Sequence, residues 1–151
     1  VMEETRRDSA DATEEATLSA QVRATVGRLY RRFRAERPEG ALGDKALEVL
    51  TFLEKHGPHS LTELSEIGEV APATMSQSVN RLTSAGYAVR AKDEADRRKV
   101  LFRATSAGRD LAAATRLQRD AWLENELSRF SSRDRSVIAR ACVLLQKVAD
   151  S

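Results

Sequence analysis

Pro72-Ala73-Thr74-Met75-Ser76-Gln77-Ser78-Val79-Asn80-Arg81-Leu82-Thr83-Ser84-Ala85-Gly86 opens on a proline suited to the first turn of a helix and closes on a glycine suited to end one. Met75, Val79 and Leu82 stand four and three apart, which predicts a helix to about Ala85 with these three turned to a core. The remaining surface carries Thr74, Ser76, Gln77 and Arg81. Small polar residues let a helix approach another surface closely, and the amide and guanidinium add groups that can bond to it.

Immediately upstream, Ser60-Leu61-Thr62-Glu63 has capping-box spacing, so a short helix is predicted there with Leu61, Leu64 and Ile67 buried and Gly68 as its stop. Before it, a helix is expected to start at Asp44, whose carboxylate accepts from free N–H groups, and to bury Leu47, Leu50 and Leu53. Lys55 and His56 fall in its last turn, Gly57 suits the left-handed cap and Pro58 cannot continue it. A first helix carries Leu18, Val22, Val26, Leu29 and Phe33 on one stripe and ends before Arg37-Pro38-Glu39-Gly40. After Gly86 the period changes. Tyr87 to Lys92 and Val100 to Thr105 read as strands of an antiparallel hairpin, joined by Asp93 to Lys99. Thr105 or Ser106 can cap a fifth helix bearing Leu111, Leu117, Trp122, Leu123 and Leu127 as far as Phe130. Ser131 restarts the chain, and the last helix shows Val137, Ile138, Ala141, Leu144, Leu145 and Val148 at helical spacing, a stripe that something must cover. The fold class is mostly α with a small antiparallel β-hairpin.

With 151 residues, 41% apolar and 32% charged, the chain suits one compact domain of amphipathic helices, or one that shares its core with a second copy. No apolar run approaches the roughly 18 residues a membrane span needs, and the acidic start at Glu3, Glu4, Asp8 and Asp11 is unlike a secretory leader, so a cytoplasmic protein without a membrane partner is expected. A single cysteine, Cys142, excludes an internal disulfide framework. Net charge is only +2, but it is unevenly spread: residues 41–70 hold two cations against six anions, and residues 71–109 hold eight cations against three anions. Two helices joined by a tight turn and followed by a basic hairpin can lay the second helix in a major groove about 12 Å wide. Gln77 can then offer an amide to a base edge and Arg81 can reach a phosphate or guanine. Arg97 and Arg98 can enter a narrow minor groove from the hairpin tip, with Asp96 either holding one guanidinium or closing the turn.

Leu61-Thr62-Glu63-Leu64, the stretch Pro72 to Leu82, Ala85-Gly86-Tyr87-Ala88-Val89-Arg90, and Asp96-Arg97-Arg98 with Thr105-Ser106-Ala107-Gly108 resemble the MarR family, over nearly the whole span from Leu18 to Val148. Ala104 stands where that family's Leu-Thr-x-x-Gly pattern has leucine. The resemblance implies a winged helix-turn-helix regulator, with Pro72, Ala73, Thr74, Ser76, Gln77 and Arg81 on the recognition helix and Asp96, Arg97 and Arg98 on the wing. It also implies that the first, fifth and sixth helices interlock with those of a second chain, through Leu18, Val22, Val137, Ala141, Leu144, Leu145 and Val148. Residues 1–40 are then an arm and dimerisation helix, 41–109 the DNA-binding region and 110–151 the C-terminal dimerisation helices, all within one structural domain. The implied partner is double-stranded DNA carrying an inverted repeat, with half-sites about 34 Å apart. A small anionic or aromatic effector between the dimerisation helices and the winged part is implied to release a repressor from it.

Other chemistry finds little support in the sequence. Cys142 lies where a small buried residue is usual. His56 and His59 straddle Gly57-Pro58, which breaks the helix that would align them, so neither a metal site nor a cofactor is expected. Trp122, Tyr30 and Phe33 read as packing residues. There is no Gly-x-Ser-x-Gly elbow and no phosphate-binding glycine loop, which argues against an enzyme. A winged-helix module that binds another protein is the remaining alternative.

Overall fold

A computed structural model describes the backbone of residues 2–40 and 42–151, and the side chains of 14–40 and 42–151. By its internal contacts the chain divides after Glu36 into two units.

The first unit is α1, Met2–Ala35, a helix of 34 residues and therefore about 50 Å long. It begins well before the apolar stripe from Leu18 that predicts it. On that stripe Leu18, Val26 and Leu29 are exposed, while Val22 and Phe33 are half-buried. Tyr30 is also exposed rather than packed, with the Arg34 guanidinium 5.7 Å from its ring centroid.

The second unit begins at Arg37. Its helices are α2 (Asp44–His56), α3 (Leu61–Ile67), α4 (Pro72–Ser84), α5 (Ser106–Ser128) and α6 (Ser132–Ala149). Its strands are β1 (His59–Ser60), β2 (Ala88–Lys92) and β3 (Val100–Ala104). The hairpin expected from sequence is present, with Arg90 opposite Phe102 and Lys92 opposite Val100. It is widened to an antiparallel sheet of three strands in the order β1-β3-β2, because His59 and Ser60 pair with Phe102 and Leu101.

Helix ends follow capping chemistry, with two corrections. Helix α2 starts at Asp44 as expected, but its N-cap is Gly43, which has no side chain to offer, and the Asp44 carboxylate pairs with Arg37. Gly57 has the expected positive φ of 82° but an extended ψ of −166°, since the chain runs straight on into β1 instead of curling back. The capping box of α3 is complete: Ser60 Oγ accepts the Glu63 N–H and a Glu63 oxygen accepts the Ser60 N–H. Thr105 and Ser131 cap α5 and α6.

The core gathers Leu50, Leu53, Met75, Val79 and Leu82 between α2 and α4, closed by Phe102 and Ala104 of β3 and by Ala112 of α5. Two expectations about burial change, at Ile67 and Cys142. Ile67, the last residue of α3, is exposed. On α5 the buried positions are the small ones, Gly108, Ala112 and Thr115, whereas Leu117 points outward. In α6 no described residue is buried, and Cys142 is exposed. The Arg116 guanidinium joins α5 to α2 by bonding both oxygens of Glu54, at 3.2 and 3.3 Å.

Candidate nucleic-acid interface

Helix α4 is set by the turn that precedes it. Gly68 ends α3, Glu69 takes a positive φ of 49°, and the Val70 N–H reaches back to the Ser65 carbonyl at 3.1 Å. Pro72 then starts α4, and Met75, Val79 and Leu82 lock its inner face into the core. Pro72, Ala73, Thr74, Gln77 and Arg81 are exposed on it, but Ser76 is half-buried beside the core face. The Arg81 guanidinium lies beside Gly43, where an added Cβ would stand 3.2 Å from its Nη1.

The wing tip is built by its aspartates. Asp96 Oδ1 accepts the Arg98 N–H at 3.0 Å and lies 3.6 Å from Arg98 Nε, while the Asp96 carbonyl accepts the Lys99 N–H at 2.8 Å. Asp96 therefore both closes the turn and faces the guanidinium. The side chain of Arg98 keeps 95% of its surface open to solvent. Arg97 is exposed and, like Arg81, Lys92 and Arg103, makes no ion pair with the described residues.

Sequence reasoning missed two links that hold the wing. Lys99 Nζ bonds Glu63 Oε1 at 3.2 Å while Glu63 Oε2 accepts the Ser60 N–H at 2.8 Å, so one carboxylate caps α3 and ties down the root of β3. Both charges were visible in the sequence, but their separation of 36 residues hid the pairing. Arg90 Nη2 bonds Asn80 Oδ1 at 3.2 Å, joining β2 to α4.

The bond from the Ser60 N–H, then Lys99 and the Ser60 hydroxyl, lower the Glu63 carboxyl from 4.5 to about 2. Because the folded value lies below the ordinary one, the stabilisation is complete above pH 4.5 and is lost as pH falls through about 2. Glu63→Gln should therefore flatten the decline of melting temperature with pH across that window. A decline as steep as the wild type's would refute the linkage.

The residues expected at a dimer interface lie on exposed stripes. Val137, Ala141, Leu144, Leu145 and Val148 follow one side of α6, and Leu18 lies on α1 with Val22 half-buried. His56 and His59, on either side of Gly57-Pro58, both meet Phe52: His56 stacks with centroids 4.5 Å apart and His59 approaches edge-on at 5.0 Å.

Residues 42–99, which contain α2 to the wing, match the MarR family. The chain is 27% identical over 136 residues to an HTH-type transcriptional regulator of Mycobacterium tuberculosis, covering 90% of this chain and 95% of that one. A MarR family protein from Bacillus stearothermophilus superposes with a TM-score of 0.77 at 24% identity, over 90% of this chain and 95% of that one. FabT of Streptococcus pneumoniae, solved in complex with DNA, superposes with a TM-score of 0.67 at 19% identity, over 90% and 96% of the two chains.

Proposed function

We propose that this chain is a member of the MarR family and a sequence-specific DNA-binding transcriptional regulator that works as a homodimer. The observation that carries the reading is the joint exposure of the outer face of α4 and the two wing arginines, one of which is almost wholly open to solvent. The α4 face supplies groups for base edges, and Arg97, Arg98 and Arg81 supply the charge that neutralises phosphates or enters the minor groove. That a protein of the same fold was solved with DNA supports it. The uncovered stripes on α1 and α6 support a second copy as the dimer partner, and two-fold symmetry then calls for an inverted repeat.

The finer reading is a cytoplasmic repressor released by a small anionic or aromatic effector. A cavity of about 160 Å³ lined by Leu42, Leu47, Tyr87 and Leu111 offers apolar walls for an aromatic group, and the Arg37 guanidinium that also lines it is already paired with Asp44.

The test is binding of the purified protein to a duplex from its own upstream DNA and to a scrambled duplex, over a salt series. The expected result is selective binding that weakens steeply with salt. In Arg98→Ala binding should weaken and the slope of log K against log salt should fall by about 2, as one phosphate contact is lost from each protomer of the dimer. Equal, weak binding to both duplexes with no change in the variant would overturn the reading.

A further inference from the structure

With about 100° of rotation per residue, Asn80 falls on the line of Ala73, Gln77 and Ser84, directly across α4 from Met75, Val79 and Leu82. It is thus closer to the middle of the outer face than Thr74, Ser76 or Arg81. It is also held. Arg90 Nη2 lies 3.2 Å from Asn80 Oδ1, and a guanidinium carries only donors, so the amide atom facing it has to be the oxygen. Arg90 is fixed in turn, its Cζ 5.3 Å from the centroid of Phe102, a buried ring and its register partner across the hairpin. The outcome is an exposed amide whose oxygen faces Arg90 and accepts one bond from it, with the two N–H donors on the opposite side of the amide plane's axis.

We propose that Asn80 is a specificity-determining residue of DNA binding, an amide used only as a donor, which selects guanine in the major groove, and that Arg90 is the residue that positions it. The inference rests on the DNA-binding reading above. An amide with both atoms free pairs with adenine by accepting from N6 and donating to N7, whereas guanine presents two acceptors, N7 and O6, which suit an amide that only donates. Arg90 sets this choice by holding the oxygen towards itself, which leaves the N–H donors for the base. It need not touch a base.

The test is selection of binding sites from a randomised duplex library by the full-length protein and by Asn80→Ala and Arg90→Ala, with dissociation constants then measured on the selected duplexes. Both side chains are exposed, so neither change opens the core. Wild type should select guanine at one position of each half-site. Asn80→Ala should keep the rest of the site and lose about 10-fold of discrimination at that position. Arg90→Ala frees the amide oxygen, so preference there should move from guanine towards adenine while other positions stay as they are; a merely structural arginine would weaken every position alike. Selection by wild type of a defined site that Asn80→Ala reproduces unchanged would overturn the inference and leave the DNA-binding reading standing. Selection of no sequence by wild type would overturn that reading, and the inference with it.

Discussion

Gly108→Ala should destabilise the protein by about 3 kcal/mol, from the addition of a single methyl group. A Cβ on Gly108 would lie 2.0 Å from the Tyr87 carbonyl oxygen and 3.0 Å from Leu50 Cδ1, well inside contact distance. The backbone at Tyr87 has nowhere to retreat. Its N–H is bonded to the Leu82 carbonyl at 2.9 Å and its carbonyl accepts the Thr105 N–H at 3.0 Å, so any shift breaks the junction of α4, β2 and α5 together. The Thr105 hydroxyl reinforces that junction by donating to the Gly86 carbonyl at 2.6 Å and accepting the Gly108 N–H at 3.1 Å. In urea the midpoint should fall with little change in slope. A loss below about 0.5 kcal/mol would show that α5 can slide away from the sheet, and would remove this account of the glycine.

That junction marks where reading a sequence stops. The Thr105-x-x-Gly108 spacing announces a helix start, and the threonine does cap α5; nothing in the order of residues says that the glycine is needed because another backbone passes against it. The same division runs through the chain. Ser60 and Glu63, Pro72, Gly86 and Ser131 act on neighbours within a few residues, so the ends they mark were legible. Strand β1 is two residues long and shows no alternation of its own; it exists because β3 lies beside it. On α5 the apolar residues read from sequence include Leu111, which packs against the core, but the buried positions are Gly108, Ala112 and Thr115, which the apolar pattern does not mark. The α4 face and the wing arginines could be nominated from sequence because solvent exposure follows helical period and turn position. The pairs that orient them, Lys99 with Glu63 and Arg90 with Asn80, depend on long-range folding and could not.

Leu144→Glu should turn the proposed dimer into a monomer and reduce affinity for an inverted-repeat duplex by about 100-fold or more, because two linked half-site contacts become one. Leu144 is 59% exposed in the single chain, as are Val137 at 61% and Val148 at 71%. A row of apolar side chains this open, on a helix with no buried residue of its own, gains stability only if another surface covers it. Burying a carboxylate in that cover without a partner costs several kcal/mol, whereas the same glutamate on the isolated chain stays in water and leaves the helix intact. Gln146→Glu, about half a turn away on the same helix, should change neither mass nor binding. Sedimentation and DNA titration together separate the alternatives. A monomeric, helical and weakly binding Leu144→Glu protein places the interface on α6, whereas a variant that stays dimeric moves it off this stripe and removes the reason offered here for the stripe's exposure.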